Sequence, residues 1–165
     1  MNMRAGGYFV LAFLTLGAGQ AVFGFFDEVS GAEGGAGITV SSGVGGAASD
    51  KQLNAWINDA LKVMKQEGIP GSFNGIKRNV IRESGGNPTI VNDWDINAKN
   101  GTPSKGLLQV IQPTFNAYKL PQSAYDRAGV KANANSLTDP IANIVTACNY
   151  AAARYGSMDN VNGPY

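Results

Sequence analysis

The stretch VIRESGGNP, residues 80–88, sets one carboxylate, Glu83, at the end of a helical pattern and just before two glycines. The helix begins near Ser72, carries Phe73, Ile76, Val80 and Ile81, and is stopped by Gly85 and Gly86. Glu83 follows Ile76 by seven residues, so it falls within roughly 20° of Ile76 on the helical wheel. The acid therefore lies on the apolar face, while Lys77, Arg78 and Arg82 project elsewhere and supply no helical-neighbour counter-ion. Desolvation penalises an ionised carboxylate there, raises its pKa and lets it hold a proton near neutrality, which is what a general acid needs. A purely structural Glu83, bonded to a backbone amide or to an arginine elsewhere, is the competing reading.

Outward from this helix the pattern stays helical. Leu53, Trp56, Ile57, Ala60, Leu61 and Met64 mark one face of a helix that Ser49 or Asp50 caps and that Gly68 and Pro70 close. A last long helix opens at Thr138 or Asp139, with Pro140 in its first turn. It runs Ile141, Ile144, Val145, Cys148, Ala152 and Tyr155 along one stripe to Gly156. On a second face Asn143, Ala147, Tyr150 and Arg154 are placed to look into a cleft, or Tyr150 is a core residue. Between the second and last helices, residues 87–115 are rich in Asn, Asp, Gly and Pro. They read as a long structured loop with at most short strand pieces at 107–111 and a short helix after Pro113. No repeat and no strand-rich block occurs, so the domain is expected to be mainly α.

The chain has 165 residues, 44% hydrophobic and 15% charged, which suits one compact domain with an appendage. Residues 8–26 are an apolar run preceded by Arg4 and followed by Asp27 and Glu28, so residues 1–26 read as a signal peptide or a membrane anchor. Residues 27–49 are a Gly- and Ser-rich flexible linker. The folded domain occupies 50–165. From Lys51 onward twelve Lys and Arg stand against eight Asp and Glu, a mild excess suited to an anionic polymer such as a cell-wall glycan. It is too scattered for a nucleic-acid surface, and no basic-aromatic platform accompanies it. A single Cys148 excludes an internal disulfide, and the absence of His argues against zinc or a His-based triad. The expected chemistry runs on carboxylates, hydroxyls and amides, with no metal and no cofactor.

Four ordered motifs, RESGGNP at 82–88, SKGLLQV at 104–110, PTF at 113–115 and NIVTACNYAAARYG at 143–156, resemble the lytic transglycosylase SLT domains, a branch of the lysozyme-like superfamily. The likeness is to the form found in actinobacterial exported proteins and phage tape-measure proteins. It implies a goose-type, lysozyme-like fold and cleavage of peptidoglycan glycan strands at the β-1,4 bond between N-acetylmuramic acid and N-acetylglucosamine. Carried over by motif, Glu83 is the catalytic acid/base with Ser84 beside it. Gln109 takes a place in the glycan cleft, and Asn143, Ile144 and Tyr150 match the family's last helix with Ala147 in place of a glycine. Which residue takes the family's role of orienting the glutamate is not identified by the motifs; Tyr150 is the substitute, with Tyr165 a weaker one. Asp93 and Asp95 are the second carboxylates that a hydrolytic mechanism would need, or turn-formers. Trp94 stacks on a sugar ring or is buried beneath the loop. The resemblance further implies a monomer working outside the cytoplasm, secreted or anchored through residues 8–26, with a phage virion as the alternative setting. A non-catalytic glycan-binding module is the reading from another class, and it would not require a carboxylate on an apolar face.

Overall fold

The computed structural model describes residues 46–162. The apolar segment 8–26, most of the linker and Tyr165 lie outside the described residues. Among those described, no helix is long and apolar enough to cross a membrane.

Helix α1 spans Asp50–Glu67. Ser49 caps it by accepting a hydrogen bond from the Gln52 amide, and Gly68 ends it in the left-handed conformation at φ 71°. It buries Leu53, Ile57, Ala60, Val63 and Met64, the stripe expected from its period, with Trp56 and Leu61 at the margin. Helix α2 spans Phe73–Ser84 between a Ser72 cap and Gly85 at φ 61°. Its core contacts are Ile76 and Val80, whereas Ile81, expected on the same stripe, is exposed.

The loop after α2 contains more structure than its composition suggested. Strand β1, Val91–Asn92, pairs antiparallel with β2, Ser104–Lys105, in the register Val91 with Lys105 and Asn92 with Ser104. A short helix α3, Ile96–Lys99, fills the excursion between them. The strand pieces expected at 107–111 are displaced: that segment is a tight turn closed by a bridge between Lys105 and Val110. Helix α4, Gln112–Tyr118, has Pro113 in its first turn, as anticipated. Helix α5, Gln122–Arg127, has no counterpart in the sequence reading.

Helix α6, Pro140–Tyr155, is the hub. Asp139 caps it twice, accepting from the Ile141 and Ala142 amides, and it packs against α1, α4 and the closing 3-10 turn Met158–Asn160. Instead of one apolar stripe with a second face toward a cleft, it is buried almost all round: Asn143 and Ala147 are fully covered and Tyr150 nearly so, with only Arg154 of that face exposed. Ala142, Ala147 and Ala151 keep its surface low enough for neighbours on several sides. The domain is mainly helical with one two-stranded ribbon, consistent with the expected lysozyme-like class.

Candidate active site

The end of α2 is built by its last five residues. Ser84 donates its hydroxyl hydrogen to the Val80 carbonyl at 3.0 Å and accepts from the Gly86 amide at 3.2 Å, so it finishes the helix rather than facing outward. Gly85 and Gly86, at φ 61° and 83°, turn the chain sharply away, and the Gly86 carbonyl accepts from the Ala48 amide at 2.9 Å. Glu83 is left on the inner face with its side chain 3% exposed.

Its one charged neighbour among the described residues is Arg82, whose Nη2 lies 3.5 Å from Oε1, at the outer limit of a hydrogen bond. The expectation of no helical-neighbour counter-ion is thus corrected: the Arg82 Cβ does leave on another side, but its long arm wraps back. Burial still prevails over this weak pair. Desolvation pushes the Glu83 carboxyl up from 4.5 to about 8, with Arg82 drawing it partly back. The carboxyl also sits at a helix C-terminus, where the macrodipole disfavours an anion. At neutral pH the group is a protonated acid that can give up its proton and take it back.

The other nominated residues divide by how their polar atoms are used. Gln109 is buried, and its amide is spent on the protein. Oε1 accepts from the Ser104 hydroxyl at 3.0 Å, while Nε2 donates to the carbonyls of Gly106 at 2.9 Å and Ile90 at 3.3 Å. It holds a backbone φ of 50°, the left-handed region that non-glycine residues seldom adopt, which these three bonds sustain. The GLLQ turn is in turn fastened to α6 by Asn143. Its Oδ1 accepts from the Leu108 amide at 2.8 Å and its Nδ2 donates to the Lys105 and Leu137 carbonyls at 3.0 and 2.9 Å. Gly106, at φ 81°, lies so close to this amide that any Cβ would collide with it. Tyr150 is 3% exposed and packs edge-on against Tyr118 and Tyr155, with ring centroids 5.2 and 6.4 Å away; burial pushes its hydroxyl up to about 12.

Asp95 caps α3, its Oδ1 accepting from the Ala98 amide at 2.9 Å, and Asp93 is exposed on the loop. Trp94 is 51% exposed, so the expectation that the loop covers it is not met; Val91 and Ile96 nearby in the chain are exposed too. Among the described residues no group of three His, Cys, Asp or Glu is placed to hold a metal.

One residue that no sequence motif marks, Asn79, belongs to this site, and it brings in Arg82, expected to project elsewhere. Asn79 is fully buried and accepts from Arg82 Nη2 through Oδ1. Asn79, Arg82 and Glu83 stand at positions i, i+3 and i+4, so one corner of the helix carries all three, a spacing legible in the sequence.

Residues 72–164 match the family described as Transglycosylase SLT domain. The chain belongs to that family. Glu83, Gln109, Asn143 and Tyr150 all fall inside the matched span. Over 123 residues the chain is also 39% identical to "Uncharacterized protein YqbO" of Bacillus subtilis (strain 168), an overlap that covers 74% of this chain. It covers only 7% of that protein, so the SLT chain corresponds to a small portion of its relative. No solved structure matches.

Proposed function

We propose that this SLT domain is a peptidoglycan lytic transglycosylase that cleaves the β-1,4 bond between N-acetylmuramic acid and N-acetylglucosamine, with Glu83 as sole acid/base. The observation that carries the reading is Glu83 itself, a carboxyl buried at the end of α2, held protonated near neutrality and engaged by one weak ion pair. Glu83 donates its proton to the bridging oxygen as that bond breaks and the muramyl C1 takes on oxocarbenium character. The resulting carboxylate accepts the proton of the same sugar's C6 hydroxyl as the C6 oxygen bonds to C1. Atoms balance without water, the product ends in 1,6-anhydromuramic acid, and Glu83 returns to its starting state.

A hydrolase would use a second carboxylate to activate water. Asp95 is poorly suited to it: Oδ1 already caps α3, and Oδ2 is buried without a hydrogen-bond partner rather than open to water. A glycan-binding module without activity has no use for a buried protonated acid. The substrate lies outside the cytoplasmic membrane, so the reading includes extracytoplasmic work, either by an exported cellular protein or as part of a phage particle. It requires no partner subunit and no cofactor.

Mass spectrometry of digested sacculi tests the reading. Anhydromuramic ends are expected; reducing ends, heavier by one water, would assign the chain to the hydrolases and return Asp93 or Asp95 to the chemistry.

A further inference from the structure

The corner of α2 that carries Glu83 also carries a cation whose position is fixed from outside the helix. Arg82 is 15% exposed along its side chain, and its Nη2 is shared between Asn79 Oδ1 and Glu83 Oε1. Asn79 cannot follow the guanidinium, because its Nδ2 donates to the Gly75 carbonyl at 2.8 Å and to the Met158 carbonyl at 3.3 Å. Met158 belongs to the 3-10 turn, which is itself pinned to the start of α2: Asp159 Oδ1 accepts from the Ser72 amide and hydroxyl at 3.0 and 2.9 Å. Arg78 adds a third tie, donating to the Asp159 carbonyl and to Asn162 Oδ1. Gly75 permits the approach, since any Cβ there would overlap the Asp159 carboxylate.

We propose that Arg82 is the positioning residue of the Glu83 carboxyl: Asn79 fixes the guanidinium, and the guanidinium holds Oε1, which leaves Oε2 to carry the proton toward the glycan. This role rests on Glu83 being the acid/base. A cation beside one oxygen repels a proton from it, so the pair selects which oxygen is protonated as well as where the carboxyl points. Arg82 has a second effect through its charge. Burial alone would make Glu83 hold its proton so firmly that it became a slow acid, and the guanidinium tempers that. Among the described residues Arg82 is the charged group that acts on Glu83.

The test uses the full chain with Arg82→Gln and Arg82→Lys. Carbon-13 labelling of the glutamate side chains follows the Glu83 titration by NMR, and turnover of peptidoglycan is measured against pH. In Arg82→Gln, the Glu83 titration and the alkaline limb of kcat are expected to move upward together, with kcat down by about ten- to a hundredfold. Arg82→Lys should restore the titration but recover only part of kcat, because a rigid planar guanidinium fixes the Nη2 that Asn79 and Glu83 share, whereas a flexible ammonium does not. A folded Arg82→Gln protein with unmoved titration and wild-type kcat would overturn the proposal. Should that variant not fold, wild-type kcat in Arg82→Lys overturns it instead. Glu83→Gln keeps the two ideas apart: activity surviving there removes the acid/base reading, whereas an inactive Glu83→Gln beside fully active Arg82 variants removes the positioning role alone.

Discussion

The last turn of α2 and the loop that follows it, residues 87–111, both bury polar side chains, and they spend them in different ways. In the loop, Asp95 caps a helix, Ser104 and Gln109 bond each other, and Gln109 also closes the turn on two backbone carbonyls. Asn143 reaches in from α6 to occupy a loop amide and two more carbonyls. These groups replace the regular ladders the segment lacks, as buried backbone in an irregular region requires. At the end of α2 the helix satisfies its own backbone, Ser84 and the two glycines finish it, and Glu83 is left over. A buried acid that the fold does not consume is available to a substrate. One region is polar mainly because the fold uses its groups, with only Asp95 Oδ2 and Asn97 Nδ2 buried there without a partner; the other carries an acid at a cost to the fold.

That cost has a sign and a pH window. Glu83 moves from 4.5 to about 8 on folding, so between those values the native state binds more protons than the unfolded chain. Its contribution to stability is fully present below about 4.5 and is lost as the pH rises through about 8. The loss runs at up to about 1.4 kcal/mol per pH unit. Urea denaturation across that range should show Glu83→Gln overtaking the wild type as the pH rises and the two converging in acid. Parallel curves would mean that Glu83 is no more burdened than the loop's polar groups.

The loop predicts the opposite response. Asn143→Ala strands the Leu108 amide and the Lys105 and Leu137 carbonyls, and should cost about 3 kcal/mol at any pH. Removing the α3 cap by Asp95→Ala should cost about 1 kcal/mol. Both are read from denaturation midpoints, and an Asn143→Ala protein of wild-type stability would break the contrast from the loop's side.

The three long helices were legible because each has an apolar period and a capping residue at its start, Ser49, Ser72 and Asp139. The short elements were not. Helix α5 and the turn Met158–Asn160 are too brief to show a period, and the turn's importance lies in distant bonds to Ser72 and Asn79. The regular aliphatic stripe of helix α6 predicts an amphipathic helix; its alanines are the better sign of burial all round. The wheel placed Glu83 correctly, since burial of a helical position follows the Cβ direction. It failed for Arg82, since a long flexible side chain need not stay where its Cβ points. The motif points Gln109 to the cleft, and no local signal announces that its amide also closes its own turn.

The most direct test sets the two buried acids side by side: turnover of peptidoglycan per folded molecule by Glu83→Gln and Asp95→Asn, with melting curves for each. Glu83→Gln is expected to lose at least the 10² to 10⁴ in rate that general acid/base catalysis supplies, with a melting temperature at neutral pH no lower than wild type, while Asp95→Asn keeps most of its activity. Residual turnover in Glu83→Gln near the wild-type rate, or an Asp95→Asn protein that is folded and equally inactive, would contradict the single-carboxylate account.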